Sequence, residues 1–487
     1  MRRLAVLVSA VAIVVGVGIA GAQSPLPAPG PQPDGTAVTP EGWQVTPAGE
    51  QSALGSNPVS IALSPDGSQY LVTNAGYRNQ SIQAIDASTG SVTQTIGTTN
   101  TGWAHTRGYY IGVAYSPDGA SAYASDGPED GIHVFSVDAG ALTEQPEITF
   151  PPHTWPAGIA VSDDGARAYV AANMADELLV VDLSTGETLA TTPVGHRPLA
   201  VALNHDGSLA FVTSWGGDTV SVVRTKTARV VGTIPVGLHP SAVALSPTSD
   251  ELYVANTDSD TVSAIDTATS LVLRTIDMHP YPGARVGASP NGLAVSSEGS
   301  TLYVANAGNN DVAVVHLAPA GSTVASDQIA GLIPTGWYPS AVVLDGSDSM
   351  LLVLNMYGLG TGPVSPKQYI GSQMKGTLSR IPVPDPGKLA GYTAQVSDND
   401  RFDLPPSPVV GNPIPTNLGD PSPIEHVVYV LKENRTYDQV LGDLKRGNGD
   451  PSYEMFPGSV TPNQHRLARR FVTLDNFYTD GAVSADG

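Results

Sequence analysis

The sequence contains no cysteine and few charged residues, and each scarcity excludes a class of protein. Without cysteine the chain has no disulfide, no thiol nucleophile, no cysteine-ligated zinc and no lipidated cysteine. Lys and Arg number 23 against 45 Asp and Glu, so the formal net charge is −22. Such a surface repels nucleic acid and anionic lipid, and neither is expected as a partner. Solubility alone accounts for this acidity, which is also compatible with divalent cations.

Long apolar runs are also lacking, except for one at the N-terminus that predicts a signal peptide over residues 1–22. Arg2 and Arg3 form a positive n-region, an apolar run follows, and Ala-Gly-Ala at residues 20–22 matches a cleavage signal. The alternative is an uncleaved anchor, although the run is short for a span of about 20 apolar residues. We therefore expect a secreted or periplasmic protein with no stable membrane span after cleavage.

Glycine and proline, by contrast, are abundant, and a repeat organises most of the chain. The 52 Gly and 41 Pro, with only 14% charged residues, favour an all-β protein with many short strands. One sequence motif recurs: a small residue, Pro, an apolar strand, a Gly turn, a second strand ending in Asn and a third ending in Asp. The copies begin at Pro58, Tyr110, Pro156, Pro198, Pro240, Pro290 and Pro339. Most are spaced by roughly the 40 residues of a propeller blade.

Each copy predicts four strands separated by tight turns. In the Ser-Pro-Asp-Gly turns Pro presets φ and Gly accepts a positive φ. Seven such repeats close into a ring that hides the sheet edges, whereas a helical solenoid would show a helical period. The sequence thus predicts a seven-bladed β-propeller of four-stranded blades over residues 42–396, after a Pro-rich linker over residues 23–41. Residues 43–53 are predicted to supply the outer strand of the blade formed by residues 340–383.

The strand sequences also carry a family resemblance. Tyr-Val-Ala-Asn at residues 253–256 and 303–306 resembles the signature of YVTN-family β-propellers, with Ala in place of Thr. The resemblance covers about residues 45–396 and implies the fold, but says little about function because propellers host many activities. Asp126 replaces the Asn in the second copy, Arg224 replaces the final Asp in the fourth, and a Gly-rich insertion interrupts the seventh.

The residue that precedes the Pro position in each copy forms a candidate ligand site. Each lies before an innermost strand, so the seven are expected to surround one mouth of the central channel. Aromatic, basic and imidazole groups there suit an anion or a polar ligand. The alternative is that they cap strands and line a wet channel; a histidine-metal site is disfavoured because the other nearby histidines do not share the register. The residues are Asn57, Tyr109, Trp155, Arg197, His239, Ser289 and Tyr338, of which Trp155, Arg197, His239 and Tyr338 are predicted to project toward one shared opening.

After the last repeat the character of the sequence changes. Residues 397–423 are rich in Pro and Asp and predict a linker. Residues 427–431 are a continuous apolar run, which predicts a parallel strand covered on both faces, and residues 436–444 suit a helix. Glu433 and Asn434 directly follow the predicted strand, at the end where ligands bind in open α/β sheets.

Residues 424–487, and the Glu-Asn-Arg-Thr-Tyr-Asp motif above all, closely resemble the start of a phosphoesterase family. That family includes phosphatidylcholine-type phospholipase C and acid phosphatases, within the alkaline phosphatase-like group. In it the Glu-Asn pair ligates an active-site metal, so the resemblance assigns Glu433 and Asn434 to a divalent cation that polarises a phosphoryl group. The alternative is an ordinary pair of loop residues at a strand end.

The same resemblance predicts a partial α/β domain. Relatives continue with Asp and His residues that complete the metal site, and the candidate nucleophile here is Ser484. About sixty residues are too few for an independent core. One expected function is therefore an exported protein of the propeller-phosphoesterase type, which hydrolyses a phosphate ester in complete relatives and is inactive as this chain.

A second function stays open: a non-catalytic propeller that binds a ligand or a protein partner at the cell surface, without a cofactor. A propeller lactonase is a third, which lacks support because the sequence shows no carboxylate or histidine cluster at one channel mouth.

Overall fold

The computed structural model describes residues 28–40, 42–77, 79–97, 108–281, 284, 287–323, 327–361, 369–402, 413–414, 421–475 and 477. The predicted signal peptide and Ser484 lie outside these residues. Within them, seven four-stranded sheets and one three-stranded sheet account for the architecture. The predicted β-propeller is confirmed by this arrangement.

The N-terminal part of the described chain is already folded. Strands β1 (Gly30–Pro31), β2 (Ala37–Val38) and β3 (Gln44–Val45) form the three-stranded sheet, and β4 (Glu50–Ala53) follows. The predicted Pro-rich linker therefore contains two short strands. The physical reason is burial: Ala37 is 2% exposed and Val45 is 1% exposed, so this segment gains apolar contacts that a free linker lacks.

Six of the four-stranded sheets, blades 1 to 6, are each built from four consecutive antiparallel strands. Blade 1 holds β5 (Pro58–Leu63), β6 (Gln69–Asn74), β7 (Ser81–Asp86) and β8 (Val92–Gly97). Blade 2 holds β9 (Val113–Tyr115), β10 (Ser121–Asp126), β11 (Gly131–Asp138) and β12 (Ala141–Thr149). Blade 3 holds β13 (Pro156–Val161), β14 (Arg167–Ala172), β15 (Glu177–Asp182) and β16 (Thr188–Pro193).

The next three blades continue in the same order along the chain. Blade 4 holds β17 (Pro198–Leu203), β18 (Leu209–Ser214), β19 (Thr219–Arg224) and β20 (Arg229–Pro235). Blade 5 holds β21 (Pro240–Leu245), β22 (Glu251–Asn256), β23 (Thr261–Asp266) and β24 (Leu271–Asp277). Blade 6 holds β25 (Pro290–Val295), β26 (Thr301–Asn306), β27 (Asp311–His316) and β28 (Gln328–Pro334).

Blade 7 joins the two ends of the propeller. It consists of β29 (Trp337–Leu344), β30 (Met350–Gly358), β31 (Thr377–Pro382) and, as its outer strand, β4. β31 and β4 are antiparallel, with Thr377 opposite Ala53 and Arg380 opposite Glu50. The joint predicted from the sequence is confirmed.

The first strands of the seven blades contact one another in a ring, in which β29 contacts β5. The hydrophobic core is divided accordingly, because each cluster lies between neighbouring blades. The second strand of each blade is buried on both faces, as in β22, whose six residues are all buried. This burial explains why those strands read as continuous apolar runs rather than as alternating ones.

An Asn at the end of three second strands, and within the longer second strand of blade 7, has a structural role. It is fully buried, and its amide nitrogen donates to a side chain of the third strand in the same blade. Hydrogen bonds of 2.8 to 3.1 Å join Asn74 to Ser81, Asn256 to Ser263, Asn306 to Asp311 and Asn355 to Ser379. In blade 3 this position belongs to Ala172, so Asn173 lies one residue further and instead donates to the Pro198 carbonyl at 3.0 Å.

A helix follows the last strand of the propeller, where the sequence predicted that repeats continue to residue 396. Helix α1 (Pro386–Asp400) begins at the N-cap Asp385, whose carboxylate accepts a hydrogen bond from the Lys388 N–H. It packs on β28 and β3. Leu389 and Val396 are its buried apolar residues. Because α1 extends to Asp400, the first residues of the linker predicted over residues 397–423 belong to this helix.

The C-terminal segment contains helices α2 (Tyr437–Leu441) and α3 (Pro462–Arg470). The helix predicted over residues 436–444 is confirmed as α2, which Thr436 and Gln439 cap reciprocally. The buried strand predicted over residues 427–431 is wrong: these side chains are 71% to 87% exposed and form no strand. The described residues supply no neighbouring strand or helix to cover them. None of the described helices has the length and apolar character needed to cross a membrane.

Candidate functional site at the channel mouth

Six of the seven residues predicted to surround the channel mouth share one backbone conformation. Their φ angles lie in the left-handed region, which costs a residue with a side chain roughly 1–2 kcal/mol. Its recurrence at one position of successive blades shows that the fold imposes it where each innermost strand begins. Tyr109 is the exception, and its side chain is 1% exposed. The φ angles are 50° at Asn57, 48° at Trp155, 53° at Arg197, 51° at His239, 52° at Ser289 and 60° at Tyr338.

A side chain of the preceding blade holds most of these residues in place. The acceptor is an Asp or Asn in the hairpin between the second and third strands, itself in the left-handed conformation. It accepts a hydrogen bond from the backbone N–H of the next mouth residue at 2.7 to 3.0 Å. The pairs are Asp130 with Trp155, Asp176 with Arg197, Asp218 with His239, Asp260 with Ser289 and Asn310 with Tyr338.

These hairpin residues are the positioning residues that the sequence analysis missed. The available signal was an Asp or Asn directly before the third strand in five copies. The same contacts place the mouth residues and the hairpins on one side of the propeller, which we call the mouth face.

The side chains on the mouth face point in different directions. Tyr338 lines the central cavity, which has a volume of about 400 Å³ and a wall formed mainly by the first strands of the blades. Trp155 instead packs edge-on against Tyr110, with ring centroids 6.1 Å apart. The predicted residues therefore share a face, but of the four that were predicted to meet at one opening only Tyr338 is among the residues that line the cavity.

An exposed aromatic stack is the most distinctive feature of the mouth face. The indole of Trp215 lies nearly parallel to the imidazole of His239, with centroids 4.2 Å apart and planes 18° apart. Nδ1 of His239 lies 2.5 Å from a carboxylate oxygen of Asp258, so this acid orients the ring. Trp215 is 42% exposed, although an indole gains more from burial than any other side chain.

Further exposed groups extend this stack across blades 3 to 5. The Arg197 guanidinium contacts the sulfur of Met174. The backbone carbonyl of Arg197 accepts a hydrogen bond from the Trp215 backbone N–H at 2.9 Å. Met174 is 46% exposed and Leu238 is 50% exposed. We call Met174, Arg197, Trp215, Leu238 and His239 the mouth patch; it combines a positive charge, an oriented imidazole and an apolar surface.

One histidine and carboxylate group in blade 2 has the composition of a metal site. Among the described residues, Asp126, His133 and Glu147 are the only group of three or more His and carboxylate side chains whose potential ligand atoms all lie within 4.8 Å of one another. Nε2 of His133 lies 3.3 Å from Asp126, and Nδ1 lies 3.6 Å from Glu147. The two ring nitrogens thus face different carboxylates, whereas a single metal ion binds one nitrogen of an imidazole. Nε2 of His133 instead forms a hydrogen bond of 2.7 Å with the Gly108 carbonyl, so the buried ring is held by the backbone, with the two carboxylates beside it.

The metal ligands implied by the phosphoesterase resemblance are not brought together with others. Glu433 and Asn434 are exposed, and Glu433 belongs to no group of three or more His, Asp or Glu side chains that could hold a metal among the residues that the structure describes. Asn434 has a φ of 67°, and its carbonyl accepts a hydrogen bond from Arg435. Because residues 427–431 are not in a sheet, no strand end holds the pair toward a site. Their metal-binding role stays a prediction.

Comparison with known proteins supports the propeller. The family model described as "Lactonase, 7-bladed beta-propeller" matches residues 36–278, from the N-terminal sheet to the end of blade 5. The Kuenenia stuttgartiensis Hydrazine Synthase structure is similar, with a TM-score of 0.53 and 22% identity over 62% of this chain and 94% of that chain. The structure of U3-55K is similar with a TM-score of 0.55 and 13% identity, over 69% of this chain and 98% of that chain. At these identities the likeness shows the fold alone, and no curated protein matches the chain.

Proposed function

We propose that this protein is an exported seven-bladed propeller that binds an anionic ligand with a planar or apolar part through the mouth patch. The observation that carries the proposal is the exposed Trp215–His239 stack, in which the backbone N–H of Trp215 donates to the backbone carbonyl of Arg197. An indole face attracts planar or apolar groups, and a guanidinium pairs with phosphate or carboxylate. Asp176 and Asp218 accept hydrogen bonds from the backbone N–H groups of Arg197 and His239, so these residues are held in place before a ligand binds. This lowers the conformational entropy lost on binding.

An aryl phosphate is a suitable probe for this patch. We expect 4-nitrophenyl phosphate to quench the fluorescence of the wild-type protein, and Trp215→Ala or His239→Ala to weaken binding about tenfold, or about 1.4 kcal/mol. Trp43→Ala is the matched control, because Trp43 is 38% exposed but lies between the N-terminal strands β2 and β3. Isothermal titration calorimetry gives the affinities. Equal affinity in all four proteins, or no binding to the wild type, would contradict the proposal.

Residues 424–487 suggest a second function by their resemblance to a phosphoesterase family, namely hydrolysis of a phosphate ester. We propose that this chain does not catalyse it, because Glu433 and Asn434 supply only part of a metal's ligand set and are exposed. Phosphoryl transfer needs neutralised charge and a nucleophile held in line. Divalent-metal catalysis is expected of relatives that carry the later Asp and His residues.

The absence of turnover is measurable. We expect no hydrolysis of an aryl phosphate or an aryl phosphodiester with Ca²⁺, Mn²⁺, Zn²⁺ or Mg²⁺ above the rate without protein. If turnover occurs, Glu433→Ala and the neighbouring Glu425→Ala distinguish its source, since both residues are exposed. Turnover that is lost only in Glu433→Ala would overturn the proposal.

Lactone hydrolysis is suggested by the name of the matched family, and one observation at the mouth favours it. His239 is oriented by Asp258, as a general base must be. The binding variants also test this function, because a base is lost with His239 whereas Trp215→Ala removes only a stacking surface. Hydrolysis of a lactone by the wild type and by Trp215→Ala, but not by His239→Ala, would support it.

A further inference from the structure

Two buried carboxyl groups lie within electrostatic range of each other where helix α1 packs on blade 6. Asp311 begins β27 and is 0% exposed, and Asp400 ends α1 and is 8% exposed. One oxygen of Asp311 and both oxygens of Asp400 accept no hydrogen bond from any described residue. The side-chain oxygen of Asn306, whose amide nitrogen donates to Asp311 at 2.8 Å, is also buried without a donor among the described residues. The equivalent Asn oxygen also lacks a described donor in blades 1, 5 and 7, so the three carboxylate oxygens are what distinguishes blade 6.

The carboxylate at residue 311 is not required by the propeller itself. The equivalent first residue of the third strand is Ser81 in blade 1, Thr261 in blade 5 and Thr377 in blade 7. Each of these neutral hydroxyls accepts from the Asn of its own blade. Blade 6 alone among these four places a charge-bearing group there. A buried carboxylate without partners destabilises a fold by several kcal/mol, so another interaction must offset it.

Among the residues that the structure describes, no positive charge offsets it. Burial raises the pKa of Asp311 to about 7, and burial together with the nearby Asp311 raises the pKa of Asp400 to about 8. No Lys or Arg acts on either carboxyl in the opposite direction. The C-terminal end of α1 adds further negative character, because its last carbonyl groups carry the negative end of the helix dipole.

We propose that Asp311, Asp400 and the side-chain oxygen of Asn306 bind a calcium ion that ties α1 to blade 6. Ca²⁺ takes six to eight oxygen ligands in flexible geometry, and the carboxylates of Asp311 and Asp400 with the neutral amide oxygen of Asn306 supply part of such a set. Mg²⁺ suits the place less well, since it demands near-ideal octahedral geometry and retains several waters. Backbone carbonyls and water complete the coordination.

The position of the site gives the ion a structural task. Asn399, next to Asp400, donates to the Thr46 hydroxyl at 2.9 Å, and Thr46 lies between β3 and β4. The ion therefore stabilises the region from which the chain continues into β4, the outer strand of blade 7. This inference does not depend on the function proposed for the mouth patch.

Metal content and thermal unfolding of the full chain test the site. After treatment with EDTA and its removal, we expect added CaCl₂ to restore about one ion per chain in equilibrium dialysis. The unfolding midpoint is expected to rise by roughly 5 °C when Ca²⁺ reaches a hundred times its dissociation constant. Asp311→Asn and Asp400→Asn should each weaken binding at least tenfold. Asp398→Asn is the matched control, because it removes an exposed carboxylate from the same helix.

The alternative is a pair of neutral carboxyl groups that share protons, and it gives the opposite results. In that case the wild type binds no Ca²⁺ and its midpoint does not respond, which overturns the proposal. Retained binding in Asp311→Asn would overturn it as well, by placing the ion elsewhere. The wild-type measurements alone decide the matter if a variant does not fold.

Discussion

Deleting residues 36–53 is expected to lower the midpoint of thermal unfolding by roughly 10 °C, or to prevent folding. The deletion removes β4, whose four residues pair with β31, and leaves Leu378 and Ile381 at a newly exposed edge although both are 0% exposed in the intact protein. Each lost hydrogen bond removes a net stabilisation of about 1 kcal/mol. Together with the lost apolar burial, the free energy of unfolding falls by about 5 kcal/mol. That loss is comparable with the total stability of many domains.

The joint also includes contacts beyond the strand ladder. The Gln51 side chain accepts from the Ser379 hydroxyl at 2.9 Å, and the Ala48 N–H donates to the Pro334 carbonyl of blade 6 at 2.9 Å. Deleting residues 28–35 is the control, because it removes β1 and keeps β4; its midpoint is expected to stay within about 2 °C of the wild type. Equal midpoints for the two deletions, measured by circular dichroism, would mean that β4 does not stabilise the ring.

Replacing Arg274 by Met is expected to destabilise the protein by about 3–5 kcal/mol, because it leaves two buried carboxylates without their partner. Arg274 lies on β24 of blade 5, and its guanidinium is 3.0 Å from Glu251 and 2.8 Å from Asp327. All three side chains are at most 4% exposed. Asp327 directly precedes β28, so the ion pairs join blades 5 and 6. Arg229→Met, an exposed arginine on the outer strand of blade 4, should change the free energy of unfolding by less than about 0.5 kcal/mol.

The pH dependence gives a second check on the same cluster. Burial acts to raise the pKa of Glu251, but hydrogen bonds from Arg274, Tyr253 and Gly321 outweigh it and hold the pKa below its ordinary value of 4.5. A lowered folded pKa stabilises the protein above the unfolded pKa, and this contribution is lost as the pH falls through the folded value. The difference between wild type and Arg274→Met, from urea unfolding, should therefore shrink below about pH 4. A difference that does not change with pH would exclude the ion pairs as its cause.

The fold was predictable because its determinants are local. A repeated turn, an apolar second strand and a polar third strand specify each blade, and residues 43–53 carry the pattern of a blade end. The metal ligands Glu433 and Asn434 were inferred from a resemblance instead, and the strand on which that inference depended is not formed. A run such as residues 427–431 predicts a strand only if the fold supplies neighbours, and a local pattern does not contain that information.

By itself, the sequence determined an all-β propeller, its closure through β4 and the common register of the mouth residues, because turn chemistry and hydrophobic period act over a few residues. Only the tertiary structure decided which side chains meet. Asp176 accepts a hydrogen bond from the Arg197 N–H, Trp215 stacks on His239, and Asp400 lies within electrostatic range of Asp311, which is 89 positions away in the sequence. Such contacts join different blades or a blade and a helix, and the blade-to-blade arrangement sets their direction. No repeat pattern encodes that direction, since the same register position points Tyr338 into the cavity and Trp155 against Tyr110.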